Sequence, residues 1–112
     1  MDLTNELQEK NEELTQSIRL LRKNGEALAK AEQDYKVRLR QEALKLRAGD
    51  MPVTLIQQIV YGIEEVAELR YKRDIAQAMY DANKEAINTF KLQIRILESQ
   101  LQREWHSGGT GD

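Results

Sequence analysis

Cysteine is absent from these 112 residues. Its absence excludes a disulfide framework, a thiolate nucleophile and a thiolate metal site together. Proline occurs once, at Pro52, and aromatic residues make up 5% of the chain, whereas 32% is charged. Such a supply of bulky apolar side chains is too small for a compact sandwich or α/β core. It does suit long amphipathic helices, each of which needs only an apolar stripe. Neither sign of charge dominates: the formal net charge is −2, which gives no global pull toward nucleic acid or an anionic membrane. No apolar run approaches the roughly 18 residues of a membrane span. The opening stretch MDLTNELQEKNEEL has five acids and one lysine, the reverse of the basic start of a signal peptide. A soluble intracellular protein with no membrane partner is the expectation.

What the chain does have is heptad spacing. From Leu7, one series runs through Leu14, Leu21 and Leu28 to Tyr35, and a second through Ile18, Gly25, Glu32, Leu39 and Leu46. The alternation of three and four places both series on one seam of a helix. Asn11, Gly25, Glu32 and Glu42 interrupt this seam. The later half is cleaner. Val66, Arg73, Tyr80, Ile87, Ile94 and Leu101 form one series, and Leu69, Ala76, Asn83, Phe90, Leu97 and Glu104 the other. The spacing predicts helical arms over residues 4–47 and 63–105, joined by a bend at 48–62 and followed by a disordered tail at 107–112. Residues 1–106 then make a single helical hairpin domain.

The punctuation agrees. Gly49 follows LKLRA, where a left-handed residue ends a helix behind Lys45 and Arg47. Pro52 fixes φ and turns Met51 out of the helical region. TLIQQIV reads as a short helix capped by Thr54 and ended by Gly62, and Glu64, Glu65 and Glu68 suit the positive end of the next helix.

With a mirror point near residue 55, Gly25, Ala27, Ala29 and Ala31 come opposite Ala78, Ala82 and Ala86, while Leu14 and Ile18 meet Phe90, Ile94 and Leu97. Several apolar residues fall off the seams: Leu20, Ala27, Val37 and Leu44 on the first arm, Ile63, Ile75, Met79, Ala86 and Ile96 on the second. Two helices cover one stripe each. The fold class expected is therefore all-α, a long coiled-coil-like antiparallel hairpin with a short helix or turn at its bend. It associates into a four-helix or larger bundle, as a homodimer or higher homo-oligomer, or pairs with another helical protein. Scattered exposed aliphatics are the plainer alternative.

Residues with chemistry are few. His106, the only histidine, stands beside the tail, with nothing to fix a nucleophile or an orienting group near it. The carboxylate pairs Glu12–Glu13, Glu64–Glu65, Glu64–Glu68 and Asp81–Glu85 lack the Glu-x-x-His spacing of a di-metal bundle and read as ion-paired surface. No phosphate-cradling loop or nucleophile elbow occurs. No catalytic, cofactor-binding or metal residue is assigned, no cofactor is expected, and the chain does not read as an enzyme. Two surfaces remain. The bend offers Leu55, Ile56, Ile59, Val60 and Tyr61, as a cap on the hairpin end or as a docking tip, and Trp105 is either a partner-binding anchor or packed on Leu101 and on Leu3 or Leu7. The segment YKVRLRQEALKLR, residues 35–47, carries Lys36, Arg38, Arg40, Lys45 and Arg47 against one acid. It either tracks phosphates, with Arg70, Lys72 and Arg73 nearby, or neutralises Glu64, Glu65 and Glu68. Arg73 and Asn83, polar residues on the seam, read as register-fixing, with Arg73 paired to Glu32 or Asp34.

The stretch LRAGDMPVTLIQQIVYGIEEVAELRYKRDIAQAMYDANKEAINTFKLQIRILESQLQREW resembles a group of small helical proteins encoded by phages and prophages of Gram-positive bacteria. The resemblance is carried by Pro52-Val53-Thr54, Gly62, Val66-Ala67-Glu68-Leu69, Arg73-Asp74, Glu85-Ala86 and Arg103-Glu104-Trp105. It implies a phage accessory protein in the cytoplasm of the bacterial host, alongside DNA replication or recombination, but carries over no activity. The secreted hairpins of the WXG type share the length and shape. Their Trp-x-Gly turn is missing here, where the bend has only Tyr61-Gly62.

The expected function is thus a non-enzymatic protein–protein interaction and oligomerisation protein, whose partners are itself and a further protein. A nucleic-acid-associated accessory factor using residues 35–47 is the alternative, and a virion component a third.

Overall fold

The computed structural model describes the backbone of residues 2–110 and the side chains of residues 2–106. It is all-helical over them: α1 spans Leu3–Ala48, α2 spans Val53–Ile59, a single 3₁₀ turn covers Val60–Gly62, and α3 spans Glu64–Thr110. α1 and α3 begin within one residue of the arms expected from periodicity. α3 is longer than expected, because its backbone stays helical to Thr110 where a structureless tail was expected from residue 107. A helix already nucleated gains one hydrogen bond per added residue, so its backbone continues without a stop signal. Residues 111 and 112 of that tail lie outside the described residues.

The helix ends follow from identifiable donors and acceptors. At the start of α1, the Asp2 Oδ1 accepts the Thr4 N–H at 3.0 Å, and the Asp2 carbonyl accepts the Glu6 N–H at 3.1 Å. At its end the Met51 N–H reaches back to the Leu46 carbonyl at 3.3 Å and the Asp50 N–H to the Arg47 carbonyl at 3.0 Å. These are the two bonds of a Schellman closure. The left-handed residue is Asp50, with φ 65°, and no glycine has positive φ among the described residues. That corrects the assignment to Gly49, which is instead the last residue to bond back in helical fashion, to Lys45 and Leu46.

Pro52, with φ −59° and ψ 141°, is the cap of α2 and makes no side-chain cap bond. Thr54 therefore lies inside α2 rather than capping it. The proline ring presets the entry angle, and the Pro52 carbonyl accepts from Leu55 and Ile56 at 3.1 and 3.0 Å. Gly62 closes the 3₁₀ turn. Ile63 then becomes extended, and its carbonyl accepts the Ala67 N–H at 2.8 Å to start α3, with Glu64 and Glu65 in the first turn.

Packing groups the chain into two compact units, Met1–Arg22 with Asp81–Asp112, and Lys23–Tyr80. In the first unit the two segments run antiparallel, since the Lys10 ammonium lies over the Phe90 ring at 5.8 Å and Asn83 reaches Ser17. Ile87, Ile94 and Leu97 form its buried centre with Asn83, and Leu3, Leu7, Leu14 and Leu21 face in half-buried. Each fully buried Ile or Leu contributes about 1.5–3 kcal/mol. The inner positions between the leucines are Lys10 and Ser17, not Asn11 and Ile18: Asn11 is exposed and Ile18 is 49% exposed. A straight helix of 3.6 residues per turn drifts about 20° per heptad against a strict 3.5 repeat. The buried stripe therefore slips by one residue.

In the second unit Tyr35, Ile56, Val60 and Val66 are buried, Val66 completely. Here Gly25, Glu32, Leu39 and Leu46 are half-buried on the expected series. Its two long segments also run antiparallel, with Gly25 beside Tyr80 and Glu32 beside Arg73. The small-against-small contact expected here does not form. Ala27, Ala29 and Ala78 are exposed, and Gly25 instead accommodates the Tyr80 ring, whose Cε1 stands 3.4 Å from where a Cβ would project. Ala82, of the first unit, is exposed as well. The α3 seam holds along its length except at Glu104, which is exposed.

Candidate interaction surfaces

The bend is two-faced. Residues 51–63 contain no charged side chain, which removes any electrostatic cost of burying either face. Ile56 and Val60, four apart and hence on one face, are turned inward and buried. Val53, Leu55, Ile59 and Tyr61 remain exposed. Ile56 and Val60 are thus absent from the exposed face of the bend, and instead line a groove against α1. Leu55, Ile59 and Tyr61 stay available, and Val53 joins them. The Arg70 guanidinium lies 5.7 Å from the Tyr61 ring centre, which orients that ring.

Between α1 and α2 lies a groove of about 450 Å³. Leu39, Ala43, Ile56 and Val60 line its apolar floor, and Lys36, Arg40, Gln57 and Tyr61 its edges.

Three of the five bases of segment 35–47 are ion-paired from within α1, by the two carboxylates Glu32 and Glu42. Lys36 Nζ is 3.4 Å from Glu32 Oε1. Arg38 Nε is 3.0 Å and Lys45 Nζ 3.2 Å from the same Glu42 oxygen. Arg47 donates to the Met51 carbonyl at 3.1 Å. Pairs three and four apart meet on the helix surface without any tertiary contact, so the expected pairing with Glu64, Glu65 and Glu68 is not what satisfies these cations. The Lys45 hydrogen bond, its charge and that of Arg38 hold the Glu42 carboxyl below its ordinary pKa. Arg40 enters no ion pair among the described residues. Glu42, the one acid of the segment, is the residue that the reading for positive charge undervalued. Its position four after Arg38 and three before Lys45 was the available signal.

The two seam polar residues do find partners. Arg73 Nη1 stands 3.8 Å from Glu32, as the pairing with the first arm required, and its Nε 2.8 Å from Asp74. The guanidinium also lies 4.9 Å from the centre of the buried Tyr35 ring. That stacking was not expected. The hydrogen bond to Asp74 above all raises the already high pKa of Arg73.

Trp105 is 81% exposed, which overturns its packing on Leu101 with Leu3 or Leu7. Leu3 is flanked instead by Gln100, Arg103 and Glu104, so the facing helix offers the indole no floor. His106 is exposed, no group of three or more His, Asp or Glu with metal-holding proximity occurs among the described residues, and no helix among them is long and apolar enough to cross a membrane.

No protein-family model matches the chain, and no curated protein or solved structure matches it.

Proposed function

We propose that this chain is a non-enzymatic helical interaction and oligomerisation protein. On this reading it is a coiled-coil-like antiparallel hairpin that self-associates into a four-helix or larger bundle and also binds a further protein. Its resemblance to small phage and prophage proteins supports a role as a phage accessory protein in the bacterial cytoplasm. The observation that carries the reading is the spacing of exposed apolar side chains on α3. Tyr71, Ile75 and Met79 recur every fourth residue in one unit, and Leu92 and Ile96 do so in the other. Side chains four apart share a helix face, so these are stripes and not scattered residues. Val37 and Leu44 add a second exposed stripe on α1. Each is already about half covered, so its burial adds about half of the roughly 1.5–3 kcal/mol of a full side chain, and five or six of them together reach the lower end of association costs of about 4–15 kcal/mol.

Sedimentation or light scattering at tens of micromolar tests this. A dimer or larger species is expected, weakened by Ile75→Asp with Met79→Asp at unchanged helicity. A sole species of 13.0 kDa overturns it.

The second reading, a nucleic-acid-associated accessory factor, rests on the bases of residues 35–47. Glu32 and Glu42 already engage Lys36, Arg38 and Lys45, which leaves Arg40 and Arg47 as the bases without a carboxylate partner and favours the protein-interaction reading. Binding that fades steeply with salt and is lost on Lys36→Glu with Arg40→Glu would establish it instead.

A further inference from the structure

Resting on that reading, we infer that the groove between α1 and α2 receives Trp105 of a second copy of this chain. The groove has an apolar floor of Leu39, Ala43, Ile56 and Val60 and carries Arg40 and Tyr61 at its edge. Its volume of about 450 Å³ falls within the roughly 300–1,000 Å³ of clefts that enclose one bulky group. Ile56 and Val60 are buried, so the floor is packed into the second unit and exists before anything enters it.

The complementary feature stands at the far end of α3. Trp105 is the most exposed of the large apolar side chains, and tryptophan is the residue most enriched at the centres of protein contacts. Its surroundings are acidic on the side that matters. At 100° per residue, Glu98 lies two turns back and about 20° round the helix from Trp105, whereas Arg103 lies about 160° away. Glu104 is its neighbour in sequence. Glu98 and Glu104 are exposed and enter no ion pair among the described residues.

An indole framed by carboxylates thus answers an apolar groove whose edge carries an unpaired guanidinium. Seated in the groove, the ring contacts Leu39 and Ala43 and lies within reach of Arg40, a cation–π arrangement that favours Arg over Trp. Glu98 and Glu104 then meet Arg40 and Lys36. The two patches differ, so the contact is heterologous: it generates an open chain or a closed ring of copies and does not stop at a two-fold pair.

Trp105 is the single tryptophan of the chain, and its emission therefore reports the surroundings of Trp105 alone. Across a concentration series of the full-length protein, the emission shifts to shorter wavelength in step with the appearance of larger species in sedimentation. Arg40→Glu and Trp105→Ala each weaken that association by roughly 30-fold or more, the scale of a contact hot spot, with unchanged helicity because both side chains are exposed. Mixed in equal amounts, the two variants recover one such contact per pair, and association exceeds that of either variant alone. The first supplies Trp105 and the second an intact groove.

An emission that stays unshifted while the protein self-associates overturns this contact and leaves the proposed function standing. So does association untouched by either substitution, or failure of the two variants to pair. A protein that remains at 13.0 kDa throughout overturns both.

Discussion

The side-chain amide of Asn83 donates to the backbone carbonyl of Ser17 across 2.9 Å, joining α3 to α1 inside the first unit. Asn83 is buried on a seam otherwise made by Ile87, Ile94 and Leu97. Only one register brings its donor to that carbonyl, so the bond selects against sliding of one helix along the other. The Ser17 carbonyl belongs to α1 and keeps its helical acceptor role when the amide is removed. Asn83→Ala should therefore cost at least about 0.5–1.5 kcal/mol, the net worth of the Ser17 hydrogen bond alone. Asn83→Leu should be nearly neutral or stabilising while broadening the distribution of oligomers. Thermal melts and sedimentation of both variants check this, and an Asn83→Leu protein with an unchanged single species removes the register role.

A second cross-helix relationship ties Arg73 to Tyr35, with the guanidinium 4.9 Å from the ring centre. Planarity makes arginine suited to stacking while also reaching Glu32 and Asp74. A double-mutant cycle of Arg73→Ala and Tyr35→Leu should give a coupling of about 0.5–1 kcal/mol. Arg73→Lys should lose the stacking but keep much of the charge attraction, so it should fall between wild type and Arg73→Ala. A coupling indistinguishable from zero would mean that the two side chains are neighbours without an energetic bond.

The end of α1 gives a prediction in the stabilising direction. Asp50 holds φ 65°, a conformation costing an ordinary L-residue roughly 1–2 kcal/mol and glycine almost nothing. Aspartate tolerates this conformation better than most residues, so Asp50→Gly should raise stability by less than about 1 kcal/mol, and Asp50→Val should lower it by about 1 kcal/mol or more. Denaturant titration decides. If both substitutions destabilise, the Asp50 carboxylate contributes something that the backbone argument omits.

These cases show what was legible from residue order. The two long helices were legible because a 3–4 repeat sustained from Val66 to Leu101 needs no tertiary information, and the break was legible because Pro52 acts locally. The identity of the left-handed residue was not. Gly49 and Asp50 both tolerate that conformation, and the choice depends on which amides meet the Leu46 and Arg47 carbonyls. The slip from Ile18 to Ser17 likewise depends on the accumulated drift of a straight helix, which a heptad count ignores. Of the candidate surfaces, the apolar character of the bend was readable, but not which half of it faces in. Ile56 and Ile59 look alike in sequence, and packing alone separates them.

The ion pairs along α1 carry a pH dependence whose sign follows from Glu42. Lys45 and Arg38 hold the Glu42 carboxyl below its ordinary value of 4.5, so folding favours the charged form. A group with a lowered folded pKa contributes stability that is present above its unfolded pKa and is lost as pH falls through the folded value. Wild type should therefore be more stable than Glu42→Gln at neutral pH, and the difference should shrink below pH 4.5 as the carboxyl takes up its proton. Because the partners are three and four residues away on the same helix and partly exposed, added salt should diminish the same difference at neutral pH. Paired thermal melts of the two proteins across an acid titration, at low and high salt, provide the check. A difference that persists undiminished at low pH would show that Glu42 acts through packing of its aliphatic stem and not through its charge.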